Sequence, residues 1–485
     1  MTGLARRGIV GAWFAGSSTV LTSAVQGIKL LAFARLMAPE EHGVFAMAMV
    51  VISCSMILAD LGLGGAVIQR EEVPEQVLSS LYWLGIAGGV GLALVLAAAS
   101  PLVGWAFGDP RVGPVIAALG GIFLLQPWGT LHQALAEKRL AFKRMAAIEV
   151  SAASVGAAAG IATAFGGAGV WGFVVDQLVS AGTKSALLVV LRVSHFRPRA
   201  SFRLSGLRSY VRFGALSVGQ RTANYATANV DYALVGGVLG AGPLGLYRMA
   251  YELATLAPAR LNIVAGRVFF PVMARLASDR ERFRTAYLRL QESATLVGLP
   301  LVVGIALVAP IAVPHVLGAR WSSSVPLLQI LAIVGAGRVV AGTIGPALLA
   351  AGRPDLGLKW SVLLVVLQVP ALLIAVRTGG VTAVAGTFAA LQTLYVVLNY
   401  RLLVRTLFGP CLPAYLRSIA PAFAMVAVMG CVVYGVGRAT ASAPWFVSLA
   451  AQIASGAAVY VVLAWRLRPR IVGELTLLTR EEPAR

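Results

Sequence analysis

Residues 43–48 read Gly-Val-Phe-Ala-Met-Ala, and residues 245–250 read Gly-Leu-Tyr-Arg-Met-Ala. Each hexapeptide opens a long apolar run, and 202 residues separate the two. Gly108 and Gly318 each close a later apolar run and stand 210 residues apart. Two similar offsets at different landmarks predict a duplication. Apolar stretches recur from Ile9 to Trp465, and a run of about 18 residues or more suffices to cross a bilayer as a helix. The repeated unit is therefore a set of membrane helices.

The composition agrees. The 485 residues are 58% hydrophobic and only 12% charged, whereas soluble domains carry about 25% charged and about 45–50% apolar residues. That excludes a water-soluble enzyme, a disordered scaffold and a secreted disulfide module. Cys54, Cys411 and Cys431 are odd in number and lie in or beside apolar segments, so neither a disulfide framework nor metal-ligand spacing is read. His42, His132, His195 and His315 are scattered and form no HExxH pattern. No metal and no cofactor are expected. Arg6-Arg7 precede an apolar stretch that runs on to Leu36. That is longer than the core of a signal peptide and reads as a first transmembrane helix.

Gly, Pro and charged residues divide the chain into fourteen apolar spans, near 9–36, 43–67, 78–107, 112–134, 145–165, 168–191, 213–239, 245–272, 291–317, 325–350, 358–376, 380–400, 414–436 and 445–465. With a cytoplasmic N-terminus, the cytoplasmic segments hold twenty-eight Lys and Arg, against four on the outer side: Arg111, Arg320, Arg377 and Arg438. This is the positive-inside pattern. It accounts for most of the net charge of +21 without a nucleic-acid partner. The expected fold is all-α and integral to the membrane: fourteen transmembrane helices in two six-helix bundles plus two C-terminal helices. The N-lobe covers 1–191, a basic cytoplasmic connector 192–212, the C-lobe 213–405, and the last two helices with a basic tail 406–485. Six helices per repeat give both halves the same orientation, as in transporters built from parallel repeats around a central site.

These features resemble the MOP flippase superfamily, in its polysaccharide-transporter branch of Wzx-type and colanic-acid-exporter-like flippases. The resemblance rests on Phe33-Ala-Arg-Leu-Met-Ala-Pro39-Glu-Glu-His-Gly43 through Ala48, Ala59-Asp-Leu-Gly-Leu-Gly64 and Ala66-Val-Ile-Gln-Arg70. It rests also on Leu239 to Tyr251, Gly266-Arg-Val-Phe-Phe-Pro271, Val325 to Ala332 and Gly352-Arg-Pro354. The resemblance implies no enzyme activity. It implies flipping of an undecaprenyl-diphosphate-linked oligosaccharide from the cytoplasmic to the periplasmic leaflet of a bacterial inner membrane, by alternating access. A polysaccharide polymerase and glycosyltransferases are the expected working partners, and the even number of spans with the basic residues inside puts both termini in the cytoplasm. A lipid II flippase and a cation-coupled drug antiporter of the same superfamily are the alternatives. A membrane ligase or polymerase is disfavoured because every outer loop is short.

Ionisable residues inside a span cost about 2.5–3.5 kcal/mol each at mid-bilayer and so tend to face a cavity or a partner. The spans hold eight basic residues and five acidic ones. That balance suits a diphosphate, to which arginine offers bidentate donors, better than an organic cation. Arg221, Asn224, Thr227 and Asp231 follow at helical spacing in span 7, reading either as a cavity wall or as a polar seam between helices. Arg260 falls about 15 residues into span 8, roughly 22 Å deep, without an acid within a turn. An incoming anion is one partner for it; carbonyls freed around Pro258, or an acid on another helix, are the others. Arg267 lies further along the same face and nearer the cytoplasm, where it is able to snorkel. Arg248 and Glu252 read as a local pair. Lys29 sits in a polar first span, and Arg338 is deep in span 10. Asp176, Ser180 and Lys184 share one face of span 6, a coupling-ion site or a structural seam. Gly156-Ala-Ala-Ala-Gly160 reads as a motif for packing within the chain.

Overall fold

The computed structural model describes residues 21–60, 67, 73–139, 141–199, 225 and 229–469. All regular structure among them is helical. The chain divides into two compact units, Met1–Gly245 and Leu246–Arg485. Among the described residues nine helices are long and apolar enough to cross a membrane, and a bent pair makes a tenth. Trp105, Leu94, Val366 and Trp465 stand exposed on them. Such surface suits hydrocarbon, not water.

The first unit opens with α1 (21–36) and α2 (Pro39–Asp60). Pro39 has no N–H to lose at a helix start, and Glu41 accepts from the Ala38 amide at 3.0 Å. Glu40 and Glu41 also sit at the positive end of the helix dipole. α3 (Glu75–Ala106) follows, then α4 (Val112–Leu119), α5 (Ile122–Leu125) and α6 (Pro127–Lys138). The sequence predicts one span over 112–134. The structure bends it by 48° between 112–125 and 127–138. Pro127 removes a hydrogen bond from the ladder, and Gly120 and Gly121 weaken the turn before it.

α7 (Phe142–Phe165) and α8 (Trp171–Val190) pack through the small residues noted in the sequence. A Cβ at Gly160 would stand 2.7 Å from both Asp176 Cβ and the Gly172 carbonyl oxygen, and one at Gly156 would overlap the Ser180 hydroxyl. In a bilayer, such close approach is what holds helices together. Phe173 of α8 stacks on Phe45 at 4.4 Å and meets Phe33 edge-on at 4.5 Å.

α9 (229–239) and the first turn of α10 (Ala241–Leu276) complete the unit against α2. A Cβ at Gly236 would reach within 3.0 Å of Met47. The Tyr225 hydroxyl donates to the Val50 carbonyl at 3.1 Å. At the start of α2 the backbones nearly touch. A Cβ on Gly43 would overlap the Ala241 carbonyl, and a Cβ on Gly245 would overlap the Pro39 carbonyl.

In the second unit, α10 continues to Leu276 and α11 (Arg280–Ala312) begins on Asp279. Asp279 Oδ1 accepts from the Glu281 and Arg282 amides at 3.2 and 3.1 Å. The sequence places span 9 at 291–317; the cap starts the helix three turns earlier on a basic, amphipathic stretch. α12 (Ser324–Ala341), α13 (Ile344–Ala350), α14 (Pro354–Asn399), α15 (Arg405–Phe408), α16 (Leu412–Ala439) and α17 (Trp445–Leu467) follow. α14 is two helices, broken at Gly379 and at Gly380, whose φ of 65° favours glycine. The break falls where spans 11 and 12 are expected to part. Gly108 (φ 67°) and Gly318 (φ 120°), the second pair of repeat landmarks, both have left-handed backbones.

Among the described residues, two cores hold this unit. One gathers Phe283, Tyr287, Leu403 and Phe408; the other gathers Leu299, Val302, Met425 and Met429 around Tyr460. The Tyr460 hydroxyl donates to the Leu296 carbonyl at 2.7 Å. Close helix crossings occur again at glycines, with Gly335 against the Ala254 carbonyl and Gly337 against Gln392.

Candidate functional site

Asp176 lies on α8 where Gly160 of α7 leaves room for its Cβ. Its side chain is 2% exposed and Lys29 reaches it from α1, Nζ to Oδ2 at 2.8 Å. Gln177 Nε2 adds a second, longer bond to the same oxygen at 3.3 Å. The other oxygen, Oδ1, is buried without a hydrogen bond among the described residues. Lys29 itself is 16% exposed. The ammonium therefore keeps an open side while its charge is balanced.

The sequence sets Asp176 and Lys184 on one face, but the structure sends them to different partners. Lys184 stands 3.9 Å from Glu149. Both ends of that pair are about a third or more exposed, a geometry worth little. Lys29, read from sequence as a separate substrate contact, is joined instead to Asp176. Its signal was available only as complementary charge on spans 1 and 6.

Asp231, on α9, is fully buried. Arg221 and Asn224 lie outside the described residues. Arg260 and Arg267 lie on α10, with side chains outside what is described. Arg338 on α12 sets its guanidinium 5.1 Å from the ring centre of Tyr251. Tyr251 in turn stacks between Tyr247 and Phe388, at 6.0 and 6.1 Å. The guanidinium thus lies over an aromatic face, a cation–π arrangement. Arg248 and Glu252 form the expected local pair at 2.7 Å.

Two features escaped the sequence reading. A cavity of about 190 Å³ in the first unit is lined by Met56, Leu81, Tyr82, Phe123, Gln126 and Thr130, with no charged side chain among its described lining. In the second unit Gln291 is fully buried and accepts from Thr343 and, at 3.5 Å, from Tyr287. Each is made by residues far apart in sequence. Periodicity along one helix carries no sign of either.

The chain matches the family model described as "Polysaccharide biosynthesis protein" over residues 32–326. It is 29% identical over 477 residues to the teichuronic acid biosynthesis protein TuaB of Bacillus subtilis (strain 168), covering 98% of this chain and 99% of that one. It is 28% identical over 416 residues to the lipopolysaccharide biosynthesis protein WzxC of Escherichia coli (strain K12), covering 86% and 85%. Among solved structures, the lipid II flippase MurJ in its inward closed conformation superposes with a TM-score of 0.75 at 12% identity, covering 96% of this chain and all of that one. The all-helical membrane fold expected from the sequence is found, and it is like that of MurJ.

Proposed function

Because the chain belongs to the polysaccharide biosynthesis protein family, we propose that it is a flippase, not an enzyme, and that it carries an undecaprenyl-diphosphate-linked oligosaccharide from the cytoplasmic to the periplasmic leaflet of a bacterial inner membrane. The supporting observation is near end-to-end similarity to TuaB, taken with an excess of basic over acidic residues inside the spans. Fourteen spans in two six-helix bundles plus two, with both termini cytoplasmic, complete the reading. Alternating access then moves the headgroup past fixed cations. Arg260, Arg221, Arg267 and Arg338 meet the diphosphate, and Asn224 and Asp231 meet sugar. Lys29 joins them by exchanging Asp176 for phosphate oxygens. A charge leaving one partner only as another arrives avoids the cost of an unpaired ion in low dielectric. Asp176 and Lys184 are the candidates for a coupling ion or proton. A polymerase and glycosyltransferases act on either side of this step.

The test is deletion of the gene. Surface polysaccharide should vanish while its lipid-linked repeat unit accumulates on the cytoplasmic side, and the intact chain should restore both. Accumulation of lipid II instead would replace the substrate with the peptidoglycan precursor. Continued export in the deletion strain would overturn the flippase reading altogether.

A further inference from the structure

The glycine contact between α2 and α10 is reciprocal. Gly43 lies against the Ala241 carbonyl and Gly245 against the Pro39 carbonyl, and both pairs fall within the first unit. The repeat offset of 202 residues takes Pro39 to Ala241 and Gly43 to Gly245. Each repeat thus presents the same two backbone positions to the other, as in a two-fold interface in which one patch meets its own copy. Neither glycine has a left-handed φ, so backbone conformation does not require them. What requires them is space. Among the neighbouring glycines the contrast is clear: a Cβ at Gly242 would stand 3.5 Å from Glu40 Oε1 and 3.7 Å from its Cγ, an ordinary contact.

We propose that this glycine pair is the outer closure of the transport pathway: the first turns of α2 and α10 meet there when the outer side is shut and part when the oligosaccharide leaves. The proposal rests on the flippase reading and its orientation, in which both turns lie at the periplasmic face. The physical basis is short range. Backbone-to-backbone contact without side chains gives close van der Waals packing when closed. Among the described residues, no ion pair joins the first turns of α2 and α10, so none there has to be broken on opening. Glu40 lies beside Gly242, and Arg111, within electrostatic reach of Glu40 and Glu41, is held by Asp109 at 2.7 Å.

Two opposed perturbations test it. Gly43→Ala and Gly245→Ala should each prevent closure and cut export at least tenfold at unchanged membrane level, while Gly242→Ala should export normally. In the other direction, the Glu40→Cys/Gly242→Cys chain should form a disulfide on oxidation, since the Glu40 Cγ position is 3.7 Å from the Gly242 Cβ position. Export should stop in the oxidised protein and return on reduction, so failure to fold cannot explain the loss. A cysteine at Glu40 should also react several-fold faster with a membrane-impermeant maleimide from outside when Gly43 is alanine. Undiminished export by the crosslinked protein, failure of the disulfide to form, or normal export by both alanine variants would overturn the proposal. Reaction of the Glu40 cysteine only from the cytoplasmic side would overturn the orientation instead. Loss of labelling differences with export intact would overturn the closure alone.

Discussion

Lys29 and Asp176 are 147 residues apart in sequence and 2.8 Å apart in the fold. Removing one partner leaves the other charge without compensation, which for a buried pair costs about 3–5 kcal/mol; the partial exposure of Lys29 puts this case at the lower end. Lys29→Met and Asp176→Leu should therefore each lower the melting temperature of the detergent-solubilised protein, and the double variant should regain most of the loss. Export should not recover in the double variant, because the ammonium proposed to meet phosphate is gone. Equal recovery of both would make the pair structural only. Arg260→Ala and Arg221→Ala should each abolish or severely reduce export at normal membrane level, with Arg→Lys rescuing in part because the bidentate fork is lost. Arg377→Ala, exposed at the α14 break, should be silent. Asp109 gives a pH dependence. The Arg111 fork holds its carboxyl below the usual range, chiefly through their hydrogen bond. A lowered carboxylate stabilises the fold at neutral pH and loses that contribution as pH falls through the folded value. Asp109→Asn should cost up to about 1 kcal/mol at pH 7 and little at pH 3, read by melting at both.

At the level of single helices, most of the structure was legible because length and hydropathy answer one question: whether a segment can satisfy its backbone inside a bilayer. Spans near 78–107, 168–191 and 445–465 appear as α3, α8 and α17 with ends shifted by a few residues. The departures have local chemical causes. Asp279 extends α11 through a polar stretch that hydropathy cannot see, and Asp279→Ala should remove about 1 kcal/mol of stability with fraying of residues 280–284 in hydrogen exchange. Pro127 bends what an apolar average treats as one rod. The Gly156–Gly160 seam was readable as packing, but its partner was not. That partner is Asp176, and only the fold reveals that a valine at Gly160 would press on the carboxylate. Gly160→Val should therefore destabilise the first unit by about 1–3 kcal/mol and loosen the Lys29 pair with it, whereas Gly88→Ala, with open space around its Cβ, should change nothing.

Across the whole chain, the proposed orientation rests on charge asymmetry and the proposed two-bundle architecture on the repeat, and both are open to direct test. Cysteine reporters at Arg199, at Asp279 and in the C-terminal tail should be labelled from the cytoplasm, and reporters at Asp109 and Arg320 from outside. Outside labelling at Arg199 or Asp279 would remove the fourteen-span topology and the parallel repeat with it. What the sequence could not supply is which charge meets which, since the spacing of residues on one helix says nothing of the helix across from it. The break inside α14 has a consequence of another kind. Its two halves meet at Gly379 and Gly380, with Arg377 as the one charged residue beside the turn and Thr378 and Thr382 as its polar neighbours. A ribosome delivering the first half offers the membrane an apolar rod whose far end has no hydrophilic segment to rest in water. The second half supplies the continuation within two residues. Synthesis therefore commits the two halves to the lipid together, as a folded-back hairpin, and in a chain halted at Gly380 a cysteine at Arg377 should be closed to an impermeant reagent from outside until the second half has emerged.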